Sequence, residues 1–245
     1  MTVRFTKEGD IVEVVLCNES RRNALSYETL DALHDSVRAA ALEGARCIVV
    51  SAEGPVFSAG ADFADLSGTA ADMAFDAAVS RVTVALRRSP VPVVSVVAGP
   101  CLGAAVDLVA STDLVVAASD ARFEVPAVRL GILYNPDALA VLRSRVSGGL
   151  MRALMFGMSV SATDAAAGGL VARVADSADL PTVVAEITDR LVAAQPAALG
   201  ATKELLAALD AGRFDREVFQ ARREQLLGSP ERFEAIAGRK QPRPL

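Results

Sequence analysis

The sequence predicts an α/β fold: a mainly parallel sheet interleaved with helices, followed by a helical C-terminal part. Three observations predict it. Short β-branched runs alternate with helical patterns through residue 117, the signature of βαβ units. Segment 92–98 is a near-continuous valine run, as in a strand buried on both faces. From Pro136 onward the chain turns into Ala- and Leu-rich segments of helical length. The 245 residues are 52% apolar, enough for a sizeable core. With aromatics at 4% and no Trp, Ala, Val and Leu must fill that core.

The elements follow in order. Segments 3–5 and 11–16 read as strands joined by the Glu8-Gly9-Asp10 turn. After the polar loop 18–23, Ser26 is the expected N-cap of a helix carrying Leu30, Leu33, His34, Val37 and Ala41 at helical spacing. Segment 47–51 is a strand ended by Glu53-Gly54-Pro55, and the small-residue loop Phe57-Ser58-Ala59-Gly60-Ala61-Asp62 follows. A helix over 73–88 stops before Pro90. Strand 92–98 turns through Gly99-Pro100-Cys101-Leu102-Gly103 into a short helix over 103–110, and strand 113–117 comes next. Helices are expected over 136–146, 148–157, 162–168, 178–194, 197–210 and 214–227, with a strand at 170–174 and a tail at 241–244.

Composition excludes several functions. A net charge of −5 does not suit a nucleic-acid binder. The most apolar stretch, 91–116, is broken by Pro92, Gly99, Pro100, Asp107 and Asp113, so no membrane span is expected. The first ten residues carry Arg4, Lys7, Glu8 and Asp10 among polar neighbours, unlike a signal peptide. Cys17, Cys47 and Cys101 form no CxxC pair and lie in apolar settings, which reads as buried free thiols in a reducing, cytoplasmic compartment. A single histidine, His34, leaves no His-rich metal site, and any Ser–His–Asp triad would have to run through it.

Two loops carry candidate chemistry. Small residues at 58–62 and 99–103 let a ligand approach the backbone. The free N–H groups at the start of helix 103–110 favour an anion or oxyanion, and helical side chains lean toward the N-terminus, bringing Asp107 back to the same region. A carboxyl group there is a natural acid/base. The competing reading makes the Gly/Ala helix start a matter of close packing and Asp107 a buried acid paired with an arginine.

On these segments the sequence resembles the crotonase, or enoyl-CoA hydratase/isomerase, superfamily. The matching stretches run in family order: Arg22-Asn23-Ala24-Leu25, then 57–62, then 92–113, then 123–131, then Ser161-Ala162-Thr163-Asp164-Ala165 with Gly169-Leu170-Val171. The resemblance implies a crotonase-like spiral of ββα units over 1–190 and a helical C-terminal trimerisation region over 191–245. It implies homotrimers or hexamers and an acyl-CoA thioester ligand in lipid metabolism. No metal or redox cofactor is implied, since CoA enters with the substrate. It places an oxyanion hole at the backbone N–H groups of Ala61 and Ala104. It puts Arg22, Ala24, Ala59 and Asp62 along the CoA, with Phe233 and Lys240, beside Arg239 and Arg243, toward its adenine and phosphates.

The side-chain machinery departs from the family pattern. Where hydratases of the family carry two glutamates, this chain has Asp107 and, after Pro126, Ala127. Leu130-Gly131-Ile132-Leu133-Tyr134-Asn135 resembles the loop of the methylmalonyl-CoA decarboxylase branch, so Tyr134 is a candidate hydrogen-bond donor to the acyl group, with plain packing or capping as the alternative. Glu124, Asp65 and Asp137 are expected to be a strand-face, a surface and a helix first-turn acid, respectively. The expected protein is therefore a CoA-thioester isomerase or decarboxylase with Asp107 as its one acid/base. The alternatives are a non-catalytic acyl-CoA binder of the same fold or a purely structural partner protein.

Overall fold

The structure is a computed structural model that describes residues 1–240, with side chains through residue 237. Strands β1 (Val3–Glu8) and β2 (Ile11–Leu16) form a hairpin through Gly9, whose φ of 59° needs a glycine. Helix α1 (Tyr27–Leu42) is capped by Ser26, whose Oγ accepts from Thr29 N at 3.2 Å. It leads to β3 (Cys47–Ala52), and α2 (Met73–Arg88) leads to β4 (Val93–Val97). The chain then makes β5 (Cys101–Leu102), α3 (Ala104–Ala110), β6 (Leu114–Ala118) and β7 (Arg122–Glu124). Helices α4 (Pro136–Arg145) and α5 (Gly148–Met155) precede β8 (Val160–Ser161), α6 (Ala162–Ala167) and β9 (Arg173–Ala175). Four helices complete the chain: α7 (Leu180–Ala193), α8 (Pro196–Asp210), α9 (Arg216–Leu227) and α10 (Pro230–Lys240).

The main sheet has six strands in the order β1-β2-β3-β4-β6-β9, parallel at every pairing except the hairpin. A small second sheet, β5-β7-β8, stands beside it. Alternation along the strands divides the core in two. Ile48, Val50, Val93 and Val97 face the large core built with α1, α2 and α3. Cys47, Val49, Val94 and Val116 face the opposite side, where α7 covers them. The valine run is thus buried on both faces because each face has its own helical layer.

Several details differ from the sequence reading. The strand expected at 170–174 lies at Arg173–Ala175. Leu170 and Val171 instead close off α6, their N–H groups donating to Ala165 O at 2.9 and 3.3 Å while their side chains enter the large core. Cys47 and Cys101 are buried free thiols, but Cys17 is only half-buried at the end of β2. Strands β5, β7 and β8 have two or three residues each, too short for a period to show. Helix α10 falls in a stretch whose charges hide its apolar face.

Lys203 on α8 is half-buried: its Nζ donates to Asp113 Oδ2 at 2.6 Å and to the carbonyls of Leu86 and Val91 at 3.2 and 3.0 Å. It pins the C-terminal helices to the sheet. Gly99 marks another close contact, because a Cβ there would stand 2.1 Å from Pro55 O. Gly99→Ala is therefore expected to destabilise the fold by about 1–3 kcal/mol in urea unfolding. Gly149→Ala, in α5 with nothing within 4 Å of a new Cβ, should be neutral or mildly stabilising. Equal unfolding midpoints for the two variants would contradict this account.

Candidate active site

Three backbone segments are stitched side by side where the two small-residue loops meet. Ser58 N donates to Pro100 O at 3.2 Å, and Leu102 N donates to Ser58 O at 3.0 Å. Leu25 N donates to Gly60 O at 2.8 Å, Asp62 N to Leu25 O at 3.0 Å, and Ala59 N to Arg22 O at 2.9 Å. Buried Asn23, at φ 53°, locks the outer segment: its Nδ2 donates to the carbonyls of Glu53 and Val56 at 2.8 and 2.9 Å. Gly60, at φ +85°, lies so close to the next segment that a Cβ would stand 2.7 Å from Leu102 O. Gly103, at φ +55°, faces Gly60 Cα across the same gap. The residues after these two glycines are Ala61 and Ala104. Among the described residues, neither backbone N–H has an acceptor.

Asp107 stands one turn into α3 and is 6% exposed. Its Oδ2 accepts from the Tyr134 hydroxyl at 2.6 Å, and that hydroxyl lies 3.3 Å from Gly103 O. Asp107 Oδ1 is buried with no partner among the described residues. Burial raises the Asp107 pKa to about 7; Asp76 adds to the rise, while the Tyr134 hydrogen bond and Arg87 oppose it. Tyr134 is pushed well above the usual phenol range, chiefly by burial and then by Asp107, so it stays a donor. The competing expectation of an arginine-paired Asp107 is corrected: its direct partner is a phenol.

Local sequence explains how Tyr134 arrives there. Gly131, at φ +71°, ends a short 3-10 helix (Pro126–Leu130), and Asn135 caps α4 by accepting from Asp137 N at 2.9 Å, with Pro136 in the first turn. Tyr134 is held between these two fixed ends and packs against the large core. A cavity of about 250 Å³ opens beside it between α2, α3 and α4, lined by Ala104, Asp107, Tyr134, Ser80, Thr83 and Arg87 among others.

The remaining candidates are placed as follows. Arg22 is exposed in the left-handed region, Ala24 is buried and Ala59 is half-buried, all along the stitched loops. The Asp62 carboxylate is buried and spent on Arg21, at 3.1 Å, and on Ala64 N, at 3.0 Å. Phe233 is exposed on α10, far along the chain from the loops. The side chains of Arg239 and Lys240, and all of Arg243, lie outside the described residues. Glu124 pairs with Arg129, Asp65 accepts from Tyr27 N at 2.8 Å, and Ala127 is buried. Asp137 both opens α4 and lines the cavity. Sequence reasoning overlooked Ser80, Thr83 and Arg87, although with Asp76 they recur at helical spacing on one face of α2. Among the described residues no group of three His, Cys, Asp or Glu side chains is placed to hold a metal ion, and no helix is long and apolar enough to cross a membrane.

The family model described as Enoyl-CoA hydratase/isomerase matches residues 6–230. The chain belongs to the enoyl-CoA hydratase/isomerase family. It is 31% identical to the "Probable enoyl-CoA hydratase echA6" of Mycobacterium tuberculosis, covering 99% of this chain and 97% of that one. It is 34% identical to the rat "Enoyl-CoA hydratase domain-containing protein 3, mitochondrial" over 76% of this chain, which spans 64% of that protein's length. A crystal structure of an enoyl-CoA hydratase from Mycobacterium smegmatis superposes with a TM-score of 0.87 at 28% identity, over 97% of this chain and 95% of the other. The fold is accordingly the crotonase fold of this family.

Asp107 gives the fold a pH signature. Its carboxyl ionises near pH 4 in the unfolded chain but only at about 7 when folded. The folded state therefore holds the extra proton in that window, and stability falls as pH rises from about 4 to about 7. Asp107→Asn should remove this dependence, gaining on the wild type by about 4 kcal/mol at most across the window. Tyr134→Phe removes a hydrogen bond that favours the carboxylate, so the upper end of the window should move to higher pH. Urea unfolding as a function of pH checks both, and parallel curves for wild type and Asp107→Asn would refute the assignment.

Proposed function

We propose that this chain is a CoA-thioester isomerase or decarboxylase that holds an enolate at the N–H groups of Ala61 and Ala104 and moves protons through Asp107. The observation that carries the reading is the buried Asp107 carboxyl group, one oxygen fixed by Tyr134 and the other unpartnered, one turn beyond an unspent helix-start N–H. Two unspent N–H donors on adjoining loops suit the oxygen of a thioester as it gains charge. A carboxyl group with a pKa of about 7 both takes and returns a proton at neutral pH.

In double-bond migration Asp107 removes the proton from C2 of a 3-enoyl thioester. The electron pair moves into the thioester as a dienolate, and the same carboxyl returns the proton at C4 to give the 2-enoyl product. In decarboxylation the bond from C2 to the carboxylate breaks, CO2 leaves, and protonated Asp107 delivers its proton to the enolate carbon. Water addition needs a second group to activate water, and the residue after Pro126 is Ala127. No cofactor enters this scheme.

Arg22, Ala24 and Ala59 border the proposed CoA path, with Asp62 serving it by holding the loop through Arg21 and Ala64 N. Phe233 and Lys240 are proposed for the adenine and phosphate end. A homotrimer or hexamer belongs to the same proposal, supported by exposed Leu206, Leu209, Val218 and Phe233 on α8, α9 and α10. The three free cysteines support a reducing, cytoplasmic setting.

Mass spectrometry of 2-enoyl, 3-enoyl and methylmalonyl thioesters incubated with the protein in heavy water tests the reaction. Deuterium uptake with double-bond migration, or loss of CO2, is expected, and Asp107→Asn should slow either by about 10²–10⁴-fold. Gain of water would overturn the preference against hydration. Undiminished turnover in Asp107→Asn would remove Asp107 from the chemistry, and binding without turnover of any thioester would leave a non-catalytic acyl-CoA binder.

A further inference from the structure

The wall of the cavity is mixed, with apolar side chains such as Val79, Val141 and Leu142 beside a set of polar ones. On α2 it presents Ser80, Thr83 and Arg87, and at the end of α3 it presents Ser111. Arg87 is half-buried, and its Nη1 donates to Ser111 Oγ at 3.0 Å. Among the described residues Arg87 forms no ion pair with a carboxylate. A guanidinium has five N–H donors in a planar fork, and one bond to a hydroxyl leaves most of them unused. Burying such a cation without an anion is costly: burial depresses its pKa, and two further arginines, Arg145 and Arg88, stand near enough to add to the fall. Asp107 and Asp137 oppose that effect without pairing with it. Asp76 and Asp137 line the cavity too, but both are exposed and lie where it opens to solvent.

The spacing along α3 sets the distance between this cation and the reacting centre. Ala104 starts the helix and Ser111 caps its end, seven residues later. At 1.5 Å per residue the two are separated by about 10 Å. An acyl chain whose thioester is held at Ala104 and that runs along α3 heads toward this cation. A carboxylate at the far end of that chain would meet the open fork of Arg87, where a bidentate charge-assisted pair is the strongest available contact.

We infer that this protein selects acyl-CoA thioesters with a terminal carboxylate, and that Arg87, positioned by Ser111, is the residue that reads the carboxylate. The inference rests on the proposed placement of the thioester at Ala61 and Ala104. Arg87 takes no part in bond making; it decides which chain is accepted.

Equilibrium binding of adipyl-, glutaryl- and hexanoyl-CoA by calorimetry tests it. The wild type should bind adipyl- or glutaryl-CoA about 10- to 100-fold more tightly than hexanoyl-CoA, the scale of a hydrogen-bonded charge pair. Arg87→Met should abolish the carboxylate preference while keeping hexanoyl-CoA binding, Arg87→Lys should restore part of it, and Ser111→Ala should weaken it less. Equal or tighter binding of hexanoyl-CoA by the wild type overturns the inference whether or not the variants fold, as does a preference unchanged in Arg87→Met; both leave the CoA site standing. Failure of every thioester to bind would overturn the underlying functional reading as well.

Discussion

The close approach of two glycines holds this site together. Gly60 and Gly103 belong to loops far apart in the chain, and a methyl group at Gly60 would collide with Leu102 O at 2.7 Å. Because neither has a side chain, the two backbones pack against each other and exchange hydrogen bonds with their flanking segments through Ser58, Leu102 and Leu25. Both glycines have positive φ, which residues with a side chain rarely adopt. The N–H groups of Ala61 and Ala104 are left unspent at the junction. Everything catalytic that we propose depends on that pair of donors being fixed before a ligand arrives, since donors already oriented cost no rearrangement during reaction.

A second constraint is the dry surroundings of Asp107. Six of the seven residues of α3, all except Ala104, are buried, and a carboxyl group carried there loses its hydration. The Tyr134 phenol compensates one oxygen only, so the balance stays in favour of the protonated form until about neutral pH. The fold thus accepts a stability cost above pH 4 in return for an acid/base poised at neutral pH. The cavity wall repeats the theme on a larger scale: polar groups, including a cation, are placed where a hydrocarbon chain would want apolar ones.

Much of this was legible in the residues themselves. Period-two and period-3.6 patterns located the long strands and helices, and the valine run announced its double burial, because burial on both faces removes any reason for a polar residue. The two small-residue loops stood out because close backbone approach excludes side chains. Three features escaped. Strands of two or three residues have no period to detect. Leu170 and Val171 read as strand because the sequence shows their burial but not the carbonyl of Ala165 that captures both N–H groups. The polar stripe of α2 went unread, since spacing alone does not say whether water or another helix covers it.

The sequence by itself determined the fold family, the candidate acid Asp107 and the glycines that permit the loop junction, because these depend on residue type and local order. Only the tertiary structure decided what those residues meet. Tyr134 is 27 residues from Asp107 in the chain but 2.6 Å from it in space. Arg87 is 24 residues from Ser111 and 3.0 Å from it. Lys203 is the half-buried partner of Asp113, 90 residues away. Hydrogen bonds and burial are properties of neighbours in space, and the packing of α2, α3 and α4 brings those neighbours together.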